Sequence, residues 1–114
     1  MLWRGLILLC LWTALPALAE ASPGTHIRTL AASCAACHGT DGNSVGGTPV
    51  LAGLERSHFV LQMQAFSSGR RSSTVMHHHA QGLTEIETEL LADFFAALPR
   101  RSIRQPEALG DMAQ

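Results

Sequence analysis

The feature that most constrains this chain is the run CAACH at residues 34–38, two cysteines three positions apart with a histidine directly after them. Three common uses of such a pair fit the surrounding sequence poorly. A thioredoxin-type dithiol needs a preceding strand within a βαβ frame, whereas the segment before Cys34 has a helical pattern. A structural zinc site needs four well-spaced ligands. A disulfide between Cys34 and Cys37 would close a loop too small to constrain the chain much.

The remaining use of this motif is covalent attachment of a c-type haem. Cysteines three positions apart on a helical turn can form thioethers with the two vinyl groups of one porphyrin. The histidine that follows places an imidazole under the iron as a ligand. Cys10 lies in the N-terminal segment described next, so Cys34 and Cys37 are the two cysteines of residues 20–114. The motif therefore indicates one covalently bound haem c.

The first 19 residues have the pattern of a Sec signal peptide. Arg4 precedes an apolar run that ends in the small-residue sequence ALA at 17–19. The run is short and close to the N-terminus, which favours a cleaved signal over a retained membrane anchor, the alternative interpretation. We therefore expect a periplasmic protein without stable membrane insertion, with a signal peptide at 1–19 and a single domain at 20–114.

The charge and size of residues 20–114 narrow the classes of partner. This part carries seven arginines, no lysine and nine carboxylates, a formal charge of −2. We expect no nucleic-acid partner, because no basic face is visible. A domain of this size forms only a marginal core from side chains alone, and its large apolar residues are few. A group bound in the interior would supply the missing contacts.

Hydrophobic spacing predicts helices and no strand. Apolar residues recur at helical intervals over 25–34 and again over 57–67, and Gly69 is expected to end the second of these helices. Between them, residues 39–50 hold four glycines and a proline and are expected to form a loop. The domain core is expected at about 25–99, followed by a weakly patterned tail at 100–114.

The last predicted helix has the clearest boundaries. Thr84 and Glu87 have the spacing of a capping box, and Pro99 ends the helical pattern. The predicted apolar stripe of this helix consists of Ile86, Leu90, Leu91, Phe94, Phe95 and Leu98.

The segments "CAACHGTDGNSVGGTPVLAGL", "FVLQMQAFSSGRRSSTVM" and "GLTEIETELLADFFAALP" together resemble class I cytochromes c over about residues 27–99. Within that family they are most similar to the haem subunit of flavocytochrome c sulfide dehydrogenase and to the c-553 and c4 cytochromes. The resemblance implies an all-α fold in which three to four short helices wrap around one covalently attached haem.

The resemblance also implies a role for each site residue. Cys34 and Cys37 would form the thioethers, His38 would be the proximal ligand of the haem iron and Met76 the distal ligand. The region of the Pro49 carbonyl would orient the proximal imidazole, a contact that fixes its tautomer and tunes its basicity.

Three histidines directly after Met76 leave alternatives open for the distal ligand. In one, His77, His78 or His79 binds the iron instead. In another, the three form a separate surface site for a transition metal. Because a thioether raises the haem potential relative to a second imidazole, the choice decides which donors the haem can oxidise. Met63, spaced with Phe59 and Phe66 on a predicted helix, is assigned to the core.

With His38 and Met76 on the iron, the expected function is one-electron transfer, without enzyme activity of the chain by itself. By resemblance, the partner would be an FAD-containing flavoprotein subunit that oxidises sulfide, or another redox protein. The alternatives are a free monohaem carrier that shuttles electrons to an oxidase or reaction centre, and a haem sensor or peroxidase with a labile sixth ligand.

Overall fold

The structure is a computed structural model that describes residues 22–102, and the regular elements in this range are helical. The predicted signal peptide and nearly all of the predicted tail lie outside the described residues. No helix within the range is long and apolar enough to cross a membrane. The expected all-α class is confirmed, with helices α1 (Pro23–His38), α2 (Arg56–Ser67), α3 (Met76–Gln81) and α4 (Glu85–Ala96), and a short 3-10 turn at Thr40–Gly42.

Helix α1 is longer than predicted at both ends and contains the whole CAACH motif. Ser22 caps it, since its hydroxyl accepts a hydrogen bond from the Thr25 N–H at 3.4 Å, and Pro23 occupies the first turn, where a missing N–H costs nothing. The helix stops at Gly39, where φ is +79°. A Cβ there would lie 2.5 Å from the Asn43 carbonyl oxygen, so only glycine fits this close approach.

Helix α2 matches its predicted range within one residue. Glu55 caps it by accepting hydrogen bonds from the N–H groups of Ser57 and His58, both at 2.9 Å. These bonds, together with one from the Ser57 hydroxyl, lower the pKa of Glu55 to about 2. Gly69, with φ of +74°, follows the end of the helix as expected.

Helix α4 confirms the predicted capping box but only part of the predicted stripe. The Glu87 N–H donates to the Thr84 hydroxyl at 3.1 Å, and the Thr84 N–H donates to the Glu87 carboxylate at 2.8 Å. Leu91 and Phe95 are buried, whereas Ile86 is 71% exposed and Leu90 is 40% exposed. The first turns of α4 therefore present apolar side chains that the rest of residues 22–102 does not cover.

Helices α1, α2 and α4 share a small core centred on Phe95. Its ring stacks against Phe59 of α2, with centroids 5.8 Å apart, and meets the edge of Phe94 at 5.3 Å. Such aromatic pairs stabilise a core beyond the area they bury. The buried apolar residues of the cluster are Ile27, Ala31, Phe59, Met63, Phe66, Ala80, Leu91, Ala92 and Phe95.

Helix α3 was not predicted, because the segment offers no apolar periodicity of its own. It packs mainly on α2 and buries Ala80, while Gln81 donates to the Ser67 carbonyl oxygen at 3.3 Å. Tertiary contact therefore supplies the stability that its six residues lack. His77–His79 lie on this helix, directly after Met76.

Candidate haem-binding site

The cysteines lie on one face of the last turns of α1. Cys34 and Cys37 are three positions apart in the helix, so their side chains point to neighbouring parts of its surface. Cys34 is half-buried and Cys37 is exposed, and both are free thiols. Burial raises the pKa of the Cys34 thiol. The Cys34 thiol is therefore favoured in its neutral form, on the helix that ends at His38.

His38 is buried, and its orientation is set by one hydrogen bond. Its Nδ1 lies 2.7 Å from the carbonyl oxygen of Pro49. A carbonyl oxygen can only accept, so Nδ1 carries the proton and Nε2 remains as the ring nitrogen available to a metal. A ligating histidine commonly has its other nitrogen held in this way. The contact expected between Pro49 and His38 is thus present in the structure.

A chain of hydroxyl groups, which sequence reasoning missed, holds the loop around Pro49 against α1. Thr48 donates through its hydroxyl to the Cys37 carbonyl oxygen at 2.6 Å. The Thr48 hydroxyl also lies 2.8 Å from that of Ser44, which accepts from the Gly46 N–H at 3.3 Å. The only sequence signal was a loop rich in Ser, Thr and Gly, and that signal does not specify which groups meet.

Residues that follow α4 fasten the same loop from the other side. Asn43 donates to the Pro99 carbonyl oxygen at 3.2 Å and accepts from the Arg101 N–H at 2.8 Å. Arg101 also forms an ion pair with Asp41 at 3.1 Å. The loop carrying Pro49 is therefore tied both to the cysteine helix and to the chain beyond α4.

Met76 begins helix α3 and is held less firmly. Its side chain is half-buried and packs against the core cluster. The helix has no side-chain cap at Val75, but the Ser73 hydroxyl accepts from the His77 N–H at 3.0 Å. This bond and apolar packing thus keep the first turn of α3, with Met76, in place.

The three histidines after Met76 do not gather further metal ligands. The rings of His77 and His78 lie 3.7 Å apart between centroids, and His79 is exposed. Residues 22–102 contain no group of three or more His, Cys, Asp or Glu side chains placed to hold a metal ion. The hypothesis of a separate histidine metal site therefore has no built site behind it in this range.

His38, Pro49 and Met76 meet at one apolar cleft of about 140 Å³. Cys34 and Cys37 do not line it, since they lie on the adjoining turns of α1. Met63, assigned to the core by its spacing, is 8% exposed and also lines the cleft. Gln62 and Arg71, which carried no assignment from the sequence, are the polar additions to a lining otherwise formed by Leu51, Leu54, Phe59 and Phe66.

These residues fit a haem. The cleft has an apolar lining for a flat apolar macrocycle, the His38 imidazole with its Nε2 free, and the Met76 thioether. The two thiols lie outside this lining, on the helix that ends at His38. Imidazole and thioether are the axial ligand pair of cytochromes c.

A second, larger cavity of about 260 Å³ lies between α2, α3 and α4. Met63 and Ala80 lie on its wall, together with the polar residues Gln64, Ser67 and Thr88. It contains neither His38 nor Met76 and lacks the ligand set of the first cleft.

Comparison with known proteins gives the same family. The family model for cytochrome c matches residues 25–98. The chain is 41% identical over 73 residues to the cytochrome subunit of sulfide dehydrogenase of Chlorobaculum tepidum, covering 64% of this chain and 66% of that protein. It is 39% identical over 70 residues to a thiosulfate dehydrogenase electron acceptor of Thiomonas intermedia, covering 60% of this chain and 32% of that protein.

A shorter relative matches over most of its length. Cytochrome c-553 of Helicobacter pylori is 27% identical over 84 residues, which cover 72% of this chain and 88% of that protein. By contrast, the chain spans less than two thirds of the length of the Chlorobaculum tepidum cytochrome subunit and of the Thiomonas intermedia electron acceptor. The family match over residues 25–98, the helical fold and the donor set of the cleft lead to one conclusion: the chain belongs to the cytochrome c family, binds haem c covalently and transfers electrons.

Proposed function

We propose that this protein is the electron-accepting cytochrome subunit of a flavin-dependent sulfide dehydrogenase, with a single haem. The observation that carries the proposal is the 41% identity to the cytochrome subunit of sulfide dehydrogenase over 73 residues. The chain by itself would carry electrons rather than transform a substrate, and a flavoprotein subunit would oxidise the sulfide.

We assign the site residues from the cleft and the motif. Cys34 and Cys37 would hold the haem through thioethers, His38 would bind its iron through Nε2, and Met76 would be the second iron ligand. The bound haem supplies a one-electron couple between ferric and ferrous iron. Pro49 orients His38 for this role through the hydrogen bond to its carbonyl oxygen, and the Met76 thioether would keep oxygen from binding the iron. The support is that His38 and Met76 line the same apolar cleft.

The surface chemistry favours a partner that docks by apolar contact. Val75, next to Met76, is 50% exposed, and Val45 in the loop before Pro49 is 87% exposed. The chain has no lysine with which to form the cationic ring that steers freely diffusing carriers onto acidic partners. Exposed apolar residues beside Met76 and in the loop before Pro49, together with the absence of lysine, suit a stable subunit contact.

The place of action follows from the same proposal. Residues 1–19 would direct export and be removed, and residues 20–114 would act in the periplasm as one domain. Mass spectrometry of the exported holoprotein should give a chain that begins at Glu20 and carries one haem. Recovery of the intact N-terminus in the membrane fraction would contradict it.

A co-purification experiment tests the partner. The tagged holoprotein is purified from its native host, and bound protein is examined for a flavin chromophore and for haem reduction on addition of sulfide. We expect a flavoprotein at one-to-one stoichiometry and rapid sulfide-dependent reduction. A monomeric, flavin-free holoprotein that sulfide plus host extract does not reduce would contradict the proposal.

A spectroscopic experiment tests the ligand assignment. The weak charge-transfer band from sulfur to ferric iron should disappear in Met76→Ala and persist in a variant with His77, His78 and His79 all changed to Ala. Met63→Leu is the matched control, because Met63 lines the same cleft. Loss of the band only in Met63→Leu would show that Met63, and not Met76, supplies the sulfur ligand.

The second candidate function is a free monohaem carrier. It is favoured by the match to cytochrome c-553, of which the chain covers 88%. The co-purification experiment distinguishes the two functions, because a free carrier would be purified without a flavoprotein. A sensor or peroxidase would instead require an open sixth position, shown by rapid CO binding to the reduced native protein.

A further inference from the structure

The larger cavity between α2, α3 and α4, of about 260 Å³, takes no part in the haem site described above. Its apolar wall consists of Val60, Met63, Ala80 and Leu83. An engineered protein cavity of about 150 Å³ is large enough to bind benzene. By that comparison, this cavity has room for a ligand of roughly ten non-hydrogen atoms.

Met63 lies between this cavity and the cleft that holds His38. Its buried side chain is on the wall of both spaces. Ala80, also on the cavity wall, comes four residues after Met76 and therefore lies on the same side of α3. A molecule in the cavity would thus contact both the helix that carries Met76 and the side chain that borders the cleft.

The hydroxyl groups of the cavity wall offer hydrogen-bond acceptors. The Thr88 hydroxyl donates to the Thr84 carbonyl oxygen at 3.0 Å, and the Ser67 hydroxyl donates to the Gln64 carbonyl oxygen at 3.2 Å. Each hydroxyl has a single proton, so the oxygens of Thr88 and Ser67 can only accept from a ligand. A ligand that satisfies these two groups must therefore carry donors.

Glu85, the first residue of α4, adds a negative charge to the same wall. Within residues 22–102, the other glutamates of this helix already have partners. Glu87 is hydrogen-bonded to His26 at 2.7 Å, and Glu89 forms an ion pair with Arg56 at 3.6 Å. Glu85 has no ion pair in this range. Its carboxylate is therefore available to a cation in the cavity.

We propose that this cavity binds a small organic ammonium ion, with its apolar body against Met63 and Ala80 and its N–H groups directed to Thr88, Ser67 and Glu85. An alkylammonium group has three donors and no acceptor, which matches a wall that offers acceptors. A carboxylate or phosphate is the wrong class of ligand, because its oxygens would face other oxygens and a negative charge.

Binding of this ion would also hold helix α3 in place. The helix has only six residues and packs mainly on α2, and the cavity lies between α2, α3 and α4. A ligand that contacts all three helices stabilises this arrangement over any state in which α3 moves away. This consequence rests on the proposed assignment of Met76 to the iron, since Met76 would then leave the iron less often.

Calorimetric titration of the holoprotein with phenethylamine at neutral pH tests the ligand class. Phenethyl alcohol and phenylacetate carry the same ring with a neutral and a negative group. We expect phenethylamine to bind, phenethyl alcohol to bind roughly fivefold more weakly, and phenylacetate not to bind. Equal binding of the amine and the alcohol would overturn the proposal. The sulfur-to-iron band should persist at saturation, and its loss on addition of the amine would show binding to the iron instead.

Two pairs of variants locate the site. Val60 lines the cavity, whereas Leu61 is 58% exposed and does not. Val60→Phe should fill the space and weaken phenethylamine binding by more than about tenfold, and Leu61→Phe should change it by less than about twofold. Should Val60→Phe fail to fold, Glu85→Gln should weaken binding roughly fivefold and Glu89→Gln less than about twofold. Equal effects within the second pair would overturn the proposal.

CO binding to the reduced holoprotein tests the effect on α3. At a phenethylamine concentration of about four times its Kd, CO binding should be roughly fivefold slower, because a ligand that binds only the closed arrangement stabilises it by that factor. Glu85→Gln should need a proportionally higher concentration for the same effect. Unchanged CO binding at saturation would overturn the link to α3. Absence of the sulfur-to-iron band before any amine is added would count against the Met76 assignment, and the calorimetric result would still decide the cavity proposal.

Discussion

The two sides of the cleft differ in how they are built. On the proximal side, His38 ends a 16-residue helix and is hydrogen-bonded to the Pro49 carbonyl oxygen. Thr48 and Asn43 hold the loop that carries Pro49 through further hydrogen bonds. On the distal side, Met76 begins a six-residue helix held by packing on α2 and one hydroxyl cap from Ser73. Polar contacts therefore define the proximal side, whereas apolar packing defines the distal side, and the distal side should open first.

The largest expected effect comes from removing each proposed ligand in turn. His38→Ala should abolish most covalent haem incorporation, because the motif loses its iron ligand inside a prearranged loop. Met76→Ala should keep its haem, lose the sulfur-to-iron band and bind CO rapidly when reduced. Haem content by pyridine haemochrome and CO binding by stopped flow measure the two outcomes. Equal haem loss in both variants would contradict the expected difference between the proximal and distal sides.

Two glycines give a matched stability test of the same asymmetry. Gly42 on the proximal side has φ of +71°, and a Cβ there would lie 2.9 Å from Leu51 Cβ and 3.0 Å from the Phe95 ring. Gly42→Ala should lower the free energy of unfolding by about 2 to 4 kcal/mol, from backbone strain and overpacking. Gly82→Ala, at the end of α3 with φ of −79°, should change it by less than about 1 kcal/mol. Urea unfolding of the holoprotein measures both.

The proximal hydroxyl chain can be weakened without changing the ligands. Thr48→Val removes the hydrogen bonds to the Cys37 carbonyl oxygen and to Ser44, and should lower the free energy of unfolding by about 1 to 3 kcal/mol. A looser Pro49 carbonyl would make His38 a weaker donor, so the midpoint potential should rise. Thr48→Ser keeps the hydroxyl and should restore both values. A potential that is unchanged in the valine variant would limit Thr48 to a role in stability.

The distal side has its counterpart in Ser73. Ser73→Ala removes the hydroxyl that accepts from the His77 N–H and should cost about 1 kcal/mol in the local stability of α3. Because this side opens locally, we expect faster CO binding to the reduced protein with little change in global unfolding. Ser72→Ala, in the same exposed segment, is the control. A loss of global stability without faster CO binding would show that α3 unfolds only with the whole domain.

The smallest effect concerns the contact between α1, which carries the motif, and α4. Hydrogen bonds from the Thr84 N–H, from His26 at 2.7 Å and from the Thr84 hydroxyl lower the pKa of Glu87 to about 2, compared with 4.5 for an unperturbed glutamate. The carboxylate therefore stabilises the fold above pH 4.5, and this contribution disappears as the pH falls to about 2. The distal helix α3 contains no carboxylate.

A pair of glutamate variants tests this loss of stability at acid pH. The thermal midpoint of Glu87→Gln should lie below that of the unmodified protein above pH 4.5, and the difference should shrink towards zero near pH 2. Glu85→Gln is the matched control, because it also removes one carboxylate from the first turn of α4. Glu55 titrates over the same interval in all three proteins and cancels. A constant difference across this range would contradict the lowered pKa.

The elements that could be predicted are those whose signals are local. The capping box of Thr84 and Glu87 and the stop at Gly69 depend on residues within one turn, and both were correct. The haem cysteines and His38 share a motif of five residues. Helix α3 was missed because its stability comes from packing on α2, and Ile86 was assigned to the core because spacing alone does not say which part of a stripe meets a neighbour.

By itself, the sequence determined a helical domain with one covalent haem, because thiols, imidazole and helical spacing are properties of short segments. Only the tertiary structure decided that Met76 and Arg71 line the same cleft as His38, and that Thr48 secures the loop of Pro49. These residues lie far apart in the chain or within a loop without a periodic pattern. Their meeting depends on how α2 and α3 pack and on which hydroxyls find acceptors, and no local pattern encodes either.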